Sequence, residues 1–287
     1  MPAIRAPEWV GDTRFRLAGE QFACGFEEST EGRLVVCKPR PLVEKNVALL
    51  ADLAPRRVFE LGISQGGSVA VNALSADPEL LVAVEISETR IAALDELIER
   101  RGLGRSVRLH YGTDQADRAR IAEIADREAD GAPYDLVLDD ASHWLDETRA
   151  SFETLFPRLR PGGTYIIEDW NWQLRGLRTF REFFRDAVAS GAVDPHDPRP
   201  APGPPPKNPY VAHFFAEMHR VPLERFAVEL VLAQSCSASG LASVQVDRHW
   251  ITIVRGPAEL DPDGFRVADC YADYDDYRQT LATPPSP

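Results

Sequence analysis

The stretch RRVFELGISQGGSVAVNALSA, residues 56–76, decides how the chain is read. A short apolar run from Val58 to Leu61 is stopped by Gly62. A segment of helical character then opens at Gly66 and Gly67, followed by Ser68. The pattern predicts a strand, a tight glycine turn and a helix, because glycine tolerates such a turn and lets a ligand approach the backbone closely. An acid, Glu60, stands two residues before the first glycine.

The unit repeats along the chain. PLVEKNVALLADLAP (41–55) reads as an amphipathic helix with Val43, Val47, Leu50 and Leu53 near helical spacing, ended by Pro55. LLVAVEIS (80–87) is a strand ending in Glu85, and ETRIAALDELIERRG (88–102) is a helix closed by Gly102. VRLHYG (107–112), ARIAEIADRE (119–128), YDLVLDD (134–140), ETRASFETLFPRLR (147–160) and TYIIEDW (164–170) continue the alternation of strand and helix. The strands are continuous apolar runs, as expected of a parallel sheet covered on both faces. The expected fold is therefore α/β, a doubly wound Rossmann-like sheet. ASVQVDRHWITIVRG (242–256) adds an antiparallel pair at its C-terminal edge.

Around this core lie an N-terminal extension (1–41), whose pattern is mixed, a domain over 42–260 and an acidic, Pro-rich tail (261–287) that is expected to fray. LRTFREFFRDAVAS (177–190) and YVAHFFAEMH (210–219) read as helices, and RFAVELVLAQ (225–234) fits helix and strand equally. DPHDPRPAPGPPPKNP (194–209) holds too many prolines for regular structure and reads as a lid or a linker.

Composition removes several function classes. The 287 residues carry a net charge of −13, and no basic stretch is long enough to track a phosphate backbone. No apolar run approaches a membrane span. Four scattered cysteines, with no paired spacing, and an N-terminus without an apolar signal core point to a reduced, cytoplasmic chain. Only Lys38, Lys45 and Lys207 are lysines, so 32 − 3 = 29 of the 32 basic residues are arginines.

The dinucleotide fingerprint is GxGxxG, whereas this turn is GxxxGG preceded by Glu60. ELGISQGGS, with VAVEIS one strand later, resembles the cofactor region of class I S-adenosylmethionine-dependent methyltransferases. The resemblance places Glu60 near the methionine part of the cofactor and Glu85 on the ribose. Gly62, Gly66, Gly67 and Ser68 form the turn, and Asp114 and Gln115 lie where the family contacts adenine. It covers residues 42–170.

VLDDASHW (137–144) raises a second question, since two aspartates and a histidine end a buried strand and IEDW ends the next. Neighbouring strands lie about 4.8 Å apart, so Asp139, Asp140, Glu168 and Asp169 would repel unless a cation joined them. Hard oxygen donors favour Mg²⁺ or Mn²⁺, with oxygens at about 2.0–2.1 Å from magnesium. The element resembles that of catechol-type and macrolide-sugar O-methyltransferases, and of the cephalosporin-hydroxylase-like group. That resemblance assigns the metal to Asp140, Glu168 and Asp169 and the general base to His143. Ala141 departs from it, standing where glycine is usual. Asp139 reads as a cap of the following turn, and His143 reads alternatively as a structural histidine.

The resemblance implies a metal-dependent O-methyltransferase acting on a hydroxyl of a sugar or polyketide-type small molecule, and assembling as a homo-oligomer. Three other readings stand beside it: a metal-independent methyltransferase of the same fold, a nucleotide-dependent oxidoreductase, and a cofactor-binding homologue without turnover.

Overall fold

The computed structural model describes residues 4–179, 220–236 and 240–272, with isolated positions between 185 and 191. The proline-rich segment 194–209 and the helix expected at 210–219 lie outside the described residues.

Among the described residues, five strands form the parallel part of one sheet. They are β5 (Arg57–Leu61), β6 (Leu80–Val84), β7 (Val107–His110), β8 (Tyr134–Asp139) and β9 (Leu159–Glu168). The antiparallel strands β10 (Leu241–Val246) and β11 (Trp250–Arg255) extend it past β9, in the order β10-β11-β9-β8-β5-β6-β7. Strand residues alternate between two apolar layers. Phe59, Leu61, Val137 and Tyr165 pack with α4 (Arg118–Glu128), α5 (Leu145–Leu155) and α7 (Glu224–Cys236). Val58, Leu81, Leu136 and Ile166 pack on the other face with α1 (Arg40–Leu53), α2 (Gly67–Ala76) and α3 (Ala92–Arg101). Burial on both faces explains why the strands read as unbroken apolar runs. The segment 225–234, open between helix and strand, is helical within α7. A short helix α6 (Trp172–Thr179) follows β9.

The N-terminal extension is a second sheet. It comprises β1 (Glu8–Trp9), β2 (Arg14–Leu17), β3 (Glu20–Cys24) and β4 (Leu34–Val36) in sequential order. Phe15 and Phe22 stack with ring centres 4.9 Å apart, and both join the core layer of α1–α3. The glycine turn makes this docking possible. A Cβ on Gly67 would stand 2.2 Å from the carbonyl oxygen of Val35, and one on Gly66 would stand 2.9 Å from Leu94 Cβ. Ser29 ties the two segments together: its amide donates to Gln65 Oε1 and its hydroxyl to the Gln65 carbonyl.

The expected tail differs from the structure through residue 272. Phe265 and Val267 are buried in the layer of α4, α5 and α7, and the Val267 amide donates to Glu153 Oε1 at 3.0 Å. These two side chains, with Leu260, Cys270 and Tyr271 packed beside them, anchor a segment whose composition reads as solvated.

Gly67→Ala is expected to cost about 1–3 kcal/mol, because β4 must withdraw from the turn. Gly104→Ala, which meets nothing within 4 Å, is the control and should be neutral or stabilising by a few tenths. Equal melting temperatures for the two variants would refute the close approach of β4.

Candidate functional site

The site lies at the carboxyl ends of β5, β6, β8 and β9. Gly62 turns the chain at the tip of β5 with φ +93°, where a Cβ would be 2.3 Å from the Asp140 carbonyl oxygen. The Asp140 amide donates to the Leu61 carbonyl, so the tips of β5 and β8 are fastened together. All three glycines are thus required by protein packed against the turn.

Glu60 is buried and accepts from Asn72 Nδ2 at 2.8 Å, while Asn46 of α1 donates to Asn72 Oδ1 at 2.7 Å. Burial pushes the Glu60 carboxyl above the usual carboxylate range, against hydrogen bonds from Ser68 and Asn72. Glu85 locks β6 to the glycine turn. Its Oε2 accepts from the amides of Ile63 (3.0 Å) and Ser64 (2.8 Å), and its Oε1 from Ser87 (3.1 Å). Beside it Ile86 is 68% exposed, an apolar surface that the sequence reading passed over.

Asp114 is exposed and caps its own turn by accepting from the Ala116 amide at 2.8 Å. Gln115, its partner in the adenine expectation, is buried with its amide engaged inside the protein. Its Oε1 accepts from the Ser142 amide, and its Nε2 donates to Asp139 and Ser151.

The two aspartates ending β8 part company. Asp139, expected to cap a turn, is buried instead, and its Oδ2 accepts from Ser151 Oγ (2.8 Å) and Tyr165 OH (2.9 Å). Burial pushes its pKa up to about 6 despite those hydrogen bonds. Asp140 faces the other way and meets Lys38, whose ammonium lies 2.8 Å from Asp140 Oδ2 and 2.5 Å from Glu168 Oε1. Burial alone would lower the Lys38 pKa, but the two carboxylates outweigh it and raise it. Burial raises Glu168 in turn, against the pull of Lys38. His143 holds a left-handed backbone, φ +59°, with Nε2 at 3.8 Å from Asp140 Oδ1. Its carbonyl accepts from Trp172 Nε1 at 3.1 Å, and the Trp172 and Trp144 rings meet edge to face.

The third expected metal ligand lies elsewhere. Asp169 has φ +48°, and its Oδ1 is 2.7 Å from Arg175 Nη2. Among the described residues no three His, Cys, Asp or Glu side chains gather as a metal site. As arranged, the side chains do not fit a divalent ion, because an ion within ligand reach of Asp140 and Glu168 would touch the Lys38 ammonium. Lys38 escaped the sequence reading; its signal is faint, one lysine between Cys37 and Pro39 in an arginine-rich chain.

Comparison with known proteins agrees with this architecture. Residues 59–170 match a family described as a methyltransferase domain. Demethylmacrocin O-methyltransferase of Streptomyces fradiae is 48% identical over 56 residues, covering 20% of this chain and 13% of the relative. A tetracenomycin rhamnosyl 3′-O-methyltransferase of Streptomyces olivaceus is 33% identical over 136 residues, covering 45% and 31%. The chain thus spans less than a third of the length of these curated relatives. A Staphylococcus aureus structure provisionally described as a caffeoyl-CoA O-methyltransferase superposes with a TM-score of 0.50. It is 15% identical and covers 76% of this chain and 85% of that one. The stretch that matches this methyltransferase-domain family, residues 59–170, carries the five parallel strands β5 to β9 of a Rossmann-like sheet.

Asp139 supplies a pH test. An unfolded aspartate titrates near 3.9, so its contribution to stability is complete below about pH 4 and is lost as pH rises through about 6. Asp139→Asn should therefore gain on the wild type by on the order of 2 kcal/mol between about pH 4 and 7. Urea midpoints measured across that range check it, and a constant difference would refute the raised pKa.

Proposed function

We propose that the protein transfers the methyl group of S-adenosylmethionine to a hydroxyl of a sugar-bearing, polyketide-type small molecule. The observation that carries the reading is the pairing, at one end of the sheet, of a carboxylate fixed to the glycine turn with a histidine at a neighbouring strand tip. Glu85 can exchange its backbone donors for the ribose hydroxyls, while Ile86 offers an apolar face to a planar base. Asp114 stands exposed at the end of β7 for a polar edge of that base.

The acceptor has its own place. A cavity of about 630 Å³ is lined by Phe26, Pro39, Pro41 and Lys38, and Phe26 is 82% exposed. Its apolar wall suits the hydrophobic body of a polyketide, and Lys38 connects it to Asp140 and so to His143. His143 Nε2 takes the proton of the acceptor hydroxyl. The oxygen attacks the sulfonium methyl in line, the carbon–sulfur bond breaks, and S-adenosylhomocysteine leaves as a neutral thioether. The names of the relatives support the acceptor class, since one denotes transfer to a rhamnosyl 3′-oxygen. The sequence expectation of a bound Mg²⁺ or Mn²⁺ contributes no step here, given the position of Lys38.

Calorimetric titration of S-adenosylhomocysteine tests the cofactor: the wild type should bind, and Glu85→Ala should bind about tenfold or more weakly, having lost charge-assisted hydrogen bonds. No binding to the wild type ends the reading. Labelled methyl transfer from S-adenosylmethionine to a panel of glycosylated macrolides tests the chemistry. His143→Ala should lower kcat by about 10²–10⁴-fold while leaving S-adenosylhomocysteine affinity unchanged. Wild-type turnover that survives in His143→Ala would remove the base assignment.

A further inference from the structure

Acids on the tips of two adjacent strands require a positive charge between them. The residue supplying it comes from the N-terminal sheet. Lys38 lies two residues beyond β4 and directly before Pro39, where the chain is held extended, and it is only 9% exposed. The choice of residue is informative in a chain with 29 arginines and three lysines. A guanidinium is a broad planar fork, whereas an ammonium is a compact point charge with three donors. Here the compact group meets both carboxylates, with its nitrogen 2.8 and 2.5 Å from their oxygens.

We propose that Lys38 is the resident cation of this site. Its ammonium occupies the position between Asp140 and Glu168 that a divalent ion would need, and so excludes Mg²⁺ and Mn²⁺ from the pair. Two of its N–H donors serve the carboxylates, which leaves the third for an acceptor oxygen in the adjoining cavity that Lys38 helps to line. There the positive charge stabilises the oxyanion that forms as His143 withdraws the proton. Lys38 cannot itself be the base, because the two carboxylates hold its proton. The role in catalysis rests on the methyltransferase reading, whereas the exclusion of metal does not.

The test is a Mn²⁺ titration followed by the electron paramagnetic resonance of the free ion. It uses the full chain as wild type, Asp140→Asn, Lys38→Met and Lys38→Met/Asp140→Asn. Wild type should leave millimolar Mn²⁺ free. Lys38→Met, with two carboxylates left unpaired, should bind one ion about tenfold or more tightly than wild type and gain thermal stability from it. The double variant should lose that site. Mn²⁺ bound by the wild type and lost in Asp140→Asn would overturn the proposal, as would a folded Lys38→Met that binds none. Should Lys38→Met fail to fold, the wild-type titration decides alone. S-adenosylhomocysteine binding is measured on the same samples, so that failure of the methyltransferase reading is seen separately from failure of the cation.

Discussion

A buried carboxylate at one strand end with a second, partly exposed one beside it calls for a counter-charge, and much of this structure follows from that constraint. Asp140 and Glu168 are brought together by the pairing of β8 with β9. The positive charge between them arrives on a separate sheet, so that sheet must dock tightly. Its docking depends on Gly67, whose missing Cβ admits the Val35 carbonyl, and on Ser29, which binds the glycine turn through both its amide and its hydroxyl. A turn read from sequence as a ligand cradle is therefore also a seat for β4. One short segment meets the demands of chain packing and of the cleft.

The adjacent aspartates show how strand geometry separates roles. Successive side chains on a strand point to opposite faces. Asp139 therefore enters the layer of α5, where Ser151, Tyr165 and Gln115 enclose it, while Asp140 turns toward Lys38 and His143. The buried network fixes the end of β8, since Gln115 also holds the Ser142 amide in the loop that carries His143. A satisfied polar cluster of this kind is rigid. The candidate base is thus positioned from beneath by a carboxylate with no contact to the cleft.

Most of the sheet and its helices were legible because the parallel strands are largely apolar runs and helices such as α1 and α3 carry a stripe; those patterns are local. The N-terminal sheet was not, since its strands span two to five residues. Its clearest signal is the four-residue alternation Arg14, Phe15, Arg16, Leu17. At the site, Glu60, Glu85, Asp140, His143 and Glu168 could be placed at strand ends from sequence, because each belongs to a strand-ending motif. The orientation of Asp169 could not, since it is set by a left-handed backbone that turns its carboxylate to Arg175. Nor could Lys38, whose partner Glu168 lies 130 residues away and whose neighbours carry no pattern.

That separation of 130 residues has a topological meaning. Glu168 is the final residue of β9, so the ion pair of Lys38 ties the segment after β4 to the last parallel strand of the main sheet. Contacts between residues so far apart in sequence raise contact order, which across small proteins goes with slower folding.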